Sequence, residues 1–254
     1  MKNHENTELV TYYSEDEEKC EHPREKVPPL PDFFLDLYKV KPKQGNEPEF
    51  HEGRTRTYPH VTGGWPSHIY IDLMPNEKLQ ILLKKIQESF RIEGIEFKSL
   101  VENDLGMPLP LHISLSRSLM LGSDIINEFK NTIKTKVIFE SFNIKFSNIA
   151  IFKNEDTSRT FLVLIIETGK EILRTILQTV DSIVKKYGCQ TFYEENKNSK
   201  FHVSIAWCLS HTIIHKTIIN RLNNEYSGLL SIHKLHVNQV KIKIGNTIHS
   251  VSSI

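Results

Sequence analysis

Two runs of this chain, LPLHISLSRS at 109–118 and KFHVSIAWC at 200–208, alternate between apolar and polar side chains over much of their length. Successive side chains of a strand point to opposite faces, so the alternation predicts two strands that are each buried on one face only. Each strand would present a histidine and a serine on its open face. Sheets with one open face are typical of antiparallel strands, so the two runs favour a fold that contains antiparallel sheet.

The first half of the chain combines such strands with single helices. SHIYIDLM at 67–74 alternates like a strand. The segment at 76–90 predicts a helix with one apolar stripe, formed by Leu79, Leu82, Leu83, Ile86 and Phe90. A second helix is predicted over 123–136, with Ser123 as its N-cap.

The second half repeats this mixture. The runs at 141–152 and 159–168 predict a strand pair joined by a polar turn, followed by a long helix that Gly188 ends. After the strand at 200–208, the pattern predicts a helix over 212–226 and one last strand over 235–244. Strands mixed with single helices predict an α+β fold with antiparallel sheet.

Charge divides the chain into an acidic leader and a mildly basic body. Residues 1–50 carry 7 Lys and Arg against 12 Asp and Glu, and subtraction from the totals of 32 and 31 leaves 25 against 19 for the rest. The leader is short of periodic apolar positions, so we expect residues 1–48 to be mostly disordered before a domain over 49–254. The basic balance is compatible with nucleic acid binding and equally with a solvated surface.

Several classes of protein lack support in the sequence. There is no run of eighteen apolar residues and no apolar signal-peptide core at the start, so we expect a soluble intracellular protein. Phosphate-loop and nucleophile-elbow motifs do not occur. Three scattered cysteines predict reduced thiols. The spacing of His51, His60 and His68 matches no metal motif, which favours packing or surface roles, and Trp65 and Trp207 are predicted in the core.

The pattern His-x-Ser/Thr is weak by itself, because four of the twelve histidines show it. Only His112 and His202 lie in alternating strands, and both are followed by serine. A half-buried sheet histidine is the ordinary alternative for either one alone. Two opposed imidazoles can act as general base and general acid, and serine hydroxyls can donate to phosphate oxygens. RNA supplies its own nucleophile, the 2′-hydroxyl, so neither metal nor cofactor is expected.

Two HxS motifs, one in each half, resemble those of the 2H phosphoesterase superfamily. That resemblance implies a bilobal, pseudo-twofold α+β fold, with antiparallel sheets and flanking helices around a central cleft. The flanking runs HEGRTRTYPHVTGGWPSHIYIDL at 51–73 and NEDTSRTFLVL at 154–164 resemble the U6 snRNA phosphodiesterases more specifically. This family implies a metal-independent 3′-to-5′ exoribonuclease that trims the U6 oligo(U) tail by transesterification. The product would end in a 2′,3′-cyclic or 3′ phosphate.

The resemblance also implies roles for individual residues. His112 would be the base on the 2′-hydroxyl and His202 the acid for the leaving 5′-oxygen. The residues implied in substrate binding are Ser114, Ser204, Tyr193, Lys200 and Phe201. The expected partner is single-stranded RNA 3′ ends, those of U6 snRNA above all, bound by a nuclear monomer with no membrane association.

Two other functions stay open at this stage. A different 2H enzyme, acting on cyclic nucleotides, cyclic phosphates or transfer RNA ends, would use the same two motifs. A catalytically silent RNA-binding module would keep the cleft, although retention of both histidines and both serines argues against it.

Overall fold

A computed structural model describes residues 63–154, 157–192, 200–210 and 212–254. The described residues form ten strands and four helices. In chain order these are β1 (Gly64–Leu73), α1 (Glu77–Ile92), β2 (Lys98–Ser99), β3 (Leu111–Ser114), β4 (Leu119–Gly122), α2 (Ile126–Lys136), β5 (Phe142–Lys153), β6 (Arg159–Thr168), α3 (Lys170–Lys186), β7 (His202–Leu209), α4 (Lys216–Ile232), β8 (Lys234–Val237), β9 (Gln239–Ile244) and β10 (Thr247–Ser252). The acidic leader predicted over 1–48 lies outside the described residues.

The strands form two five-stranded sheets, and every strand pair in the described ranges is antiparallel. The first sheet has the order β10-β9-β1-β3, with β4 paired to the other half of β1. The second has the order β2-β7-β6-β5-β8. Each sheet contains one motif strand, β3 in the first and β7 in the second. The predicted α+β architecture with antiparallel sheets is therefore confirmed.

The end of the chain differs from the prediction of one last strand over 235–244. The chain breaks there into β8, which pairs with β5 in the second sheet, and β9, which pairs with β1 in the first. The chain thus crosses from one sheet to the other at Asn238. A tenth strand follows through the two-residue turn Gly245–Asn246, a Gly-Asn turn that the sequence does signal.

α1 and α3 begin and end within a few residues of the prediction, whereas α4 spans Lys216–Ile232 instead of the predicted 212–226. Asn76 caps α1, because its Oδ1 accepts a hydrogen bond from the Leu79 N–H at 2.9 Å. Gly188 follows α3 with a φ of 70°, a left-handed conformation that favours glycine at a helix end. The N-cap prediction for Ser123 is wrong, because α2 begins at Ile126 and Ile125 occupies the cap position without a side-chain hydrogen bond.

One hydrophobic core joins both sheets and the helices. All five residues of the predicted α1 stripe are buried, and they share a cluster with β1 residues such as Ile69 and with β7 residues such as Val203. Of the two tryptophans, Trp207 is buried as predicted. Trp65 is 44% exposed, because its ring covers the backbone of Gly245 at the β9–β10 turn instead of entering the core. None of the four described helices combines the length and hydropathy needed to cross a membrane.

Candidate active site

The two motif strands lie next to each other where the sheets meet. β3 contacts β7, and the apolar residues of both strands enter the same core, among them Ile113 and Val203. Side chains alternate along a strand, so the polar faces of β3 and β7 lie on the same side, opposite the core. Each motif strand thereby contributes one histidine and one serine to that side.

His112 stands on β3 directly opposite Asp72 of β1. Directly opposite residues of an antiparallel pair share a face, with Cβ atoms roughly 4.5–5.5 Å apart. The ring of Tyr70 packs against the His112 ring at 5.1 Å between centroids, tilted by 54°. Burial lowers the pKa of His112, although the Asp72 carboxylate acts in the opposite direction. His112 is therefore neutral at pH 7 and able to accept a proton.

His68 extends this arrangement along β1. Its ring stacks on Tyr70 with a centroid distance of 5.4 Å and an interplanar angle of 8°. Its pKa is lowered to about 4, mainly by burial and also by the nearby His112, although a hydrogen bond to the Ser116 backbone acts in the opposite direction. The expected packing role fits this stacked position. Its place beside the site follows from β1 pairing with β3, which spacing along the chain does not reveal.

His202 has apolar surroundings that differ from those of His112. Its Nδ1 lies 2.9 Å from the Lys200 carbonyl oxygen, and because a carbonyl can only accept, Nδ1 carries the proton and donates. Nε2 is then the nitrogen left for chemistry. The rings of Phe152 and His202 pack edge-to-face with 4.7 Å between their centroids. Ile165 is the cross-strand partner of His202. Burial lowers the pKa of His202, which the Lys200 carbonyl partly offsets.

The two motif serines occupy matching positions. Ser114 is half-buried opposite Tyr70, and Ser204 is half-buried opposite Val163. Immediately after Ser204 the β6–β7 register shifts, because Ile205 is an extra residue in β7. Both Ile205 and Ala206 are consequently buried in the core, so the polar face of β7 ends at Ser204.

The other predicted binding residues lie near the second motif. Lys200 is exposed, and its backbone carbonyl is the acceptor for the His202 ring. Phe201 packs against the core, and its carbonyl accepts a hydrogen bond from the Ile166 N–H at 2.8 Å. Tyr193 lies outside the described residues. Contacts of these three with a substrate stay a prediction.

The sequence analysis missed other residues of the site. They are the non-motif side chains that meet the two imidazoles or their immediate neighbours: Tyr70, Asp72, Phe152, Lys241 and Lys243. The alternation of SHIYIDL signals the face that Asp72 and Tyr70 share. No local signal links that face to β3 or β9, because strand pairing is a long-range property.

The arrangement suits acid–base chemistry. Two imidazoles flank the junction of β3 and β7, each followed by a half-buried hydroxyl on the same face. In the part of the chain that the structure describes, no group of three or more His, Cys, Asp or Glu side chains is placed to hold a metal ion. Such a site can take a proton from one oxygen and give a proton to another.

Comparison with known proteins identifies the family. The family model HVSL, described as an uncharacterised conserved protein, matches residues 28–252. U6 snRNA phosphodiesterase 1 of Xenopus laevis is 32% identical over 209 residues, which are 79% of each chain. The chain belongs to the U6 snRNA phosphodiesterase 1 family. The Neurospora crassa member is 31% identical over 87% of this chain and 72% of its own, and the human member is 27% identical over 90% and 84%.

Solved structures agree with this family at the level of the fold. Usb1 of Kluyveromyces marxianus superposes with a TM-score of 0.56 at 17% identity, covering 76% of this chain and all of that chain. The same protein with uridine monophosphate gives a TM-score of 0.58 at 19% identity. The predicted membership in the U6 snRNA phosphodiesterase family is thus confirmed, and the fold is shared with Usb1.

Proposed function

We propose that this protein is a 3′-to-5′ exoribonuclease that trims the oligo(U) tail of U6 snRNA in the nucleus. Family membership supports the substrate, since the relatives are named for U6 snRNA. The observation that carries the chemistry is the contact between β3 and β7, each of which presents a histidine and a serine on its polar face. The Kluyveromyces relative has been solved with uridine monophosphate, which is consistent with a uridine-binding site.

The proposed step is a transesterification within the RNA. His112 takes the proton of the penultimate 2′-hydroxyl, and that oxygen attacks the adjacent phosphorus. The bond from phosphorus to the terminal 5′-oxygen breaks, and His202, in its imidazolium form with a second proton on Nε2, gives that proton to the leaving oxygen. The RNA then ends in a 2′,3′-cyclic phosphate, and the terminal nucleoside is free. Later addition of water would open the cycle to a 3′ phosphate.

Ser114 and Ser204 would steady the phosphate during this step. Each hydroxyl follows its histidine by two residues on the same strand face, so both can donate to non-bridging phosphate oxygens. Donors already in place where negative charge develops cost no reorganisation during reaction. We assign base stacking to Tyr193 and contacts with the RNA end to Lys200 and Phe201, in line with the family resemblance.

The test uses a 5′-labelled RNA with a 3′ oligo(U) tail, incubated in EDTA and resolved at single-nucleotide steps. Stepwise shortening is expected from the wild type. His112→Ala and His202→Ala should each reduce the rate by about 10²–10⁴-fold, the usual contribution of general acid–base catalysis. His236→Ala is the matched control, because His236 is exposed on β8 and lies outside the site.

Two further arms separate this function from the alternatives. A 2′-deoxy substitution at the penultimate nucleotide should block shortening, because it removes the nucleophile. Product ends that resist phosphatase until acid treatment would identify the cyclic phosphate. Binding of RNA without shortening would instead indicate a silent binding module. Turnover of 2′,3′-cyclic mononucleotides without shortening would indicate another 2H phosphodiesterase.

A further inference from the structure

A charged pair lies beside His112 on the first sheet. Lys241 of β9 donates to the Asp72 carboxylate of β1 with Nζ 2.6 Å from Oδ2. The pair is largely withdrawn from solvent, because the side chains are 21% and 15% exposed. Taking two charges out of water is costly, so a half-buried pair beside a catalytic strand calls for a reason.

Strand register fixes the position of this pair relative to the imidazole. Asp72 is the direct partner of His112 across the β1–β3 ladder. Lys241 is the partner of Tyr70, whose ring packs on His112. β1 therefore lies between β3 and β9. Asp72 on β1 has His112 of β3 on one side and Lys241 of β9 on the other. Three adjacent strands place all three side chains on one face.

The two motif histidines differ in this respect. His202 faces Ile165 across β6–β7 and contacts the Phe152 ring, and a backbone carbonyl holds its Nδ1. No carboxylate takes the place of Asp72 beside it among the described residues. Among the described residues, the near-symmetric site is consequently asymmetric in charge, with an anion beside His112 and none beside His202.

We propose that Asp72, held in place by Lys241, is a positioning residue whose carboxylate stabilises the imidazolium that forms when His112 takes a proton. This inference rests on the proposed function, in which His112 is the base. A fixed anion next to the base favours proton transfer to it, since the positive charge appears where the negative charge already stands. Lys241 prevents the carboxylate from turning away and partly offsets its charge.

Other groups also face His112 and enter the balance. They are Tyr70 and His68 on β1, Lys241 and Lys243 on β9, and Ser114 on its own strand, while the contact between β3 and β7 places the second motif strand beside them. The two lysines lower the pKa of His112, and Asp72 raises it. Removing Asp72 and removing Lys241 should therefore shift the pKa of His112 in opposite directions.

The experiment follows the His112 ring by NMR titration of the full chain without RNA, with His112→Gln to assign the resonance. Asp72→Asn should lower the pKa of His112, and Lys241→Gln should raise it because the carboxylate is then unopposed. Lys241→Arg should titrate like the wild type. Glu88→Gln is the matched control, since it breaks an exposed ion pair with Arg91 on α1.

The pH dependence of kcat/KM provides the catalytic readout. The limb at low pH reports the base, so it should move to lower pH in Asp72→Asn and to higher pH in Lys241→Gln. Asp72→Asn should also lose about tenfold in kcat at neutral pH, a part of what general base catalysis contributes. A residue that only joined β1 to β9 would change stability without moving this limb. The double variant Asp72→Asn with Lys241→Gln leaves no orphaned charge, and its His112 should titrate between the two single variants.

Two results would overturn the inference: an unchanged His112 titration in Asp72→Asn, or shifts of the same sign in both single variants. Failure of the proposed function is a separate outcome. There, the wild type would shorten no RNA in EDTA while the His112 titration still shifted as expected.

Discussion

The hydroxyl of Ser116 accepts a hydrogen bond from the backbone N–H of Ile69 at 2.9 Å. It stands where a carbonyl of β3 would continue the ladder with β1, and it donates in turn to the Arg117 carbonyl at 2.8 Å. Ser116 is only 2% exposed. Ser114, two residues earlier, is instead half-buried on the face of His112. Two serines of one alternating run thus serve different purposes.

Alanine substitutions should separate the two serines. Ser116→Ala should lower the free energy of unfolding by about 1–3 kcal/mol, because it leaves the buried Ile69 N–H without its acceptor. Ser114→Ala should leave stability within about 0.5 kcal/mol and reduce kcat about a hundredfold, by loss of a phosphate donor. Urea denaturation and the RNA-shortening rate measure the two effects. Equal loss of stability in both variants, with unchanged rates, would contradict the assignment.

His68 should make stability depend on pH. Its pKa is lowered from 6.5 to about 4 in the folded protein, so between these values the unfolded chain binds a proton that the folded protein does not. The contribution is fully present above about pH 6.5 and is lost as pH falls toward 4, at most about 3 kcal/mol. His68→Gln should therefore show a flatter dependence of the unfolding free energy on pH. Urea denaturation from pH 4.5 to 8 tests this. The difference between the two proteins should be constant above pH 7, and parallel curves below it would refute the prediction.

Asn223 of α4 holds an irregularity in β5. The Ile149 N–H donates to Asn223 Oδ1 at 2.7 Å, and Asn223 Nδ2 donates to the Ile149 carbonyl at 2.9 Å. The β5–β6 register shifts between Phe146 and Ile149, so the amide satisfies backbone groups beside the break. The same strand continues to Phe152, which packs on His202.

We therefore expect Asn223→Ala to reduce the free energy of unfolding by about 2–4 kcal/mol, since two backbone groups lose their partners. Asn223→Asp keeps the acceptor for the Ile149 N–H and loses the donor to its carbonyl, so it should fall between alanine and the wild type. Denaturant melts of the three proteins give the order. An aspartate variant less stable than the alanine variant would count against this account.

Phe152 controls how much water reaches His202. Burial is the main cause of the lowered pKa of His202. The Phe152 ring packs edge-to-face with the imidazole, with 4.7 Å between the ring centroids. Phe152→Ala should admit water and raise that pKa toward its usual range. NMR titration of the His202 ring measures the change. Phe97→Ala is the control, because Phe97 is also half-buried but packs on Phe90 of α1, with 5.2 Å between ring centroids. A larger shift in the control than in Phe152→Ala would refute the prediction.

Much of the fold could be predicted locally. Alternation predicts β1, β3 and β7 together with the buried face of each, because side-chain direction follows the strand period. The helical stripe of α1 and the glycine after α3 likewise depend on neighbours within one or two turns. The wrong cap at Ser123 and the missed break at Asn238 also have a common cause. Both depend on where the next element packs, which nearby residues do not specify.

The sequence by itself determined the residues to which we assign the proposed chemistry: two histidines and two serines, placed on the open faces of two strands by a period of two. Only the tertiary structure decided what stands beside them. Asp72 meets His112 because β1 pairs with β3 in one register, and Phe152 meets His202 because β5 and β7 flank β6. A shift of one residue in either ladder would turn these neighbours to the opposite face. Register is fixed by the packing of distant segments into a common core, which is why no local pattern reveals it.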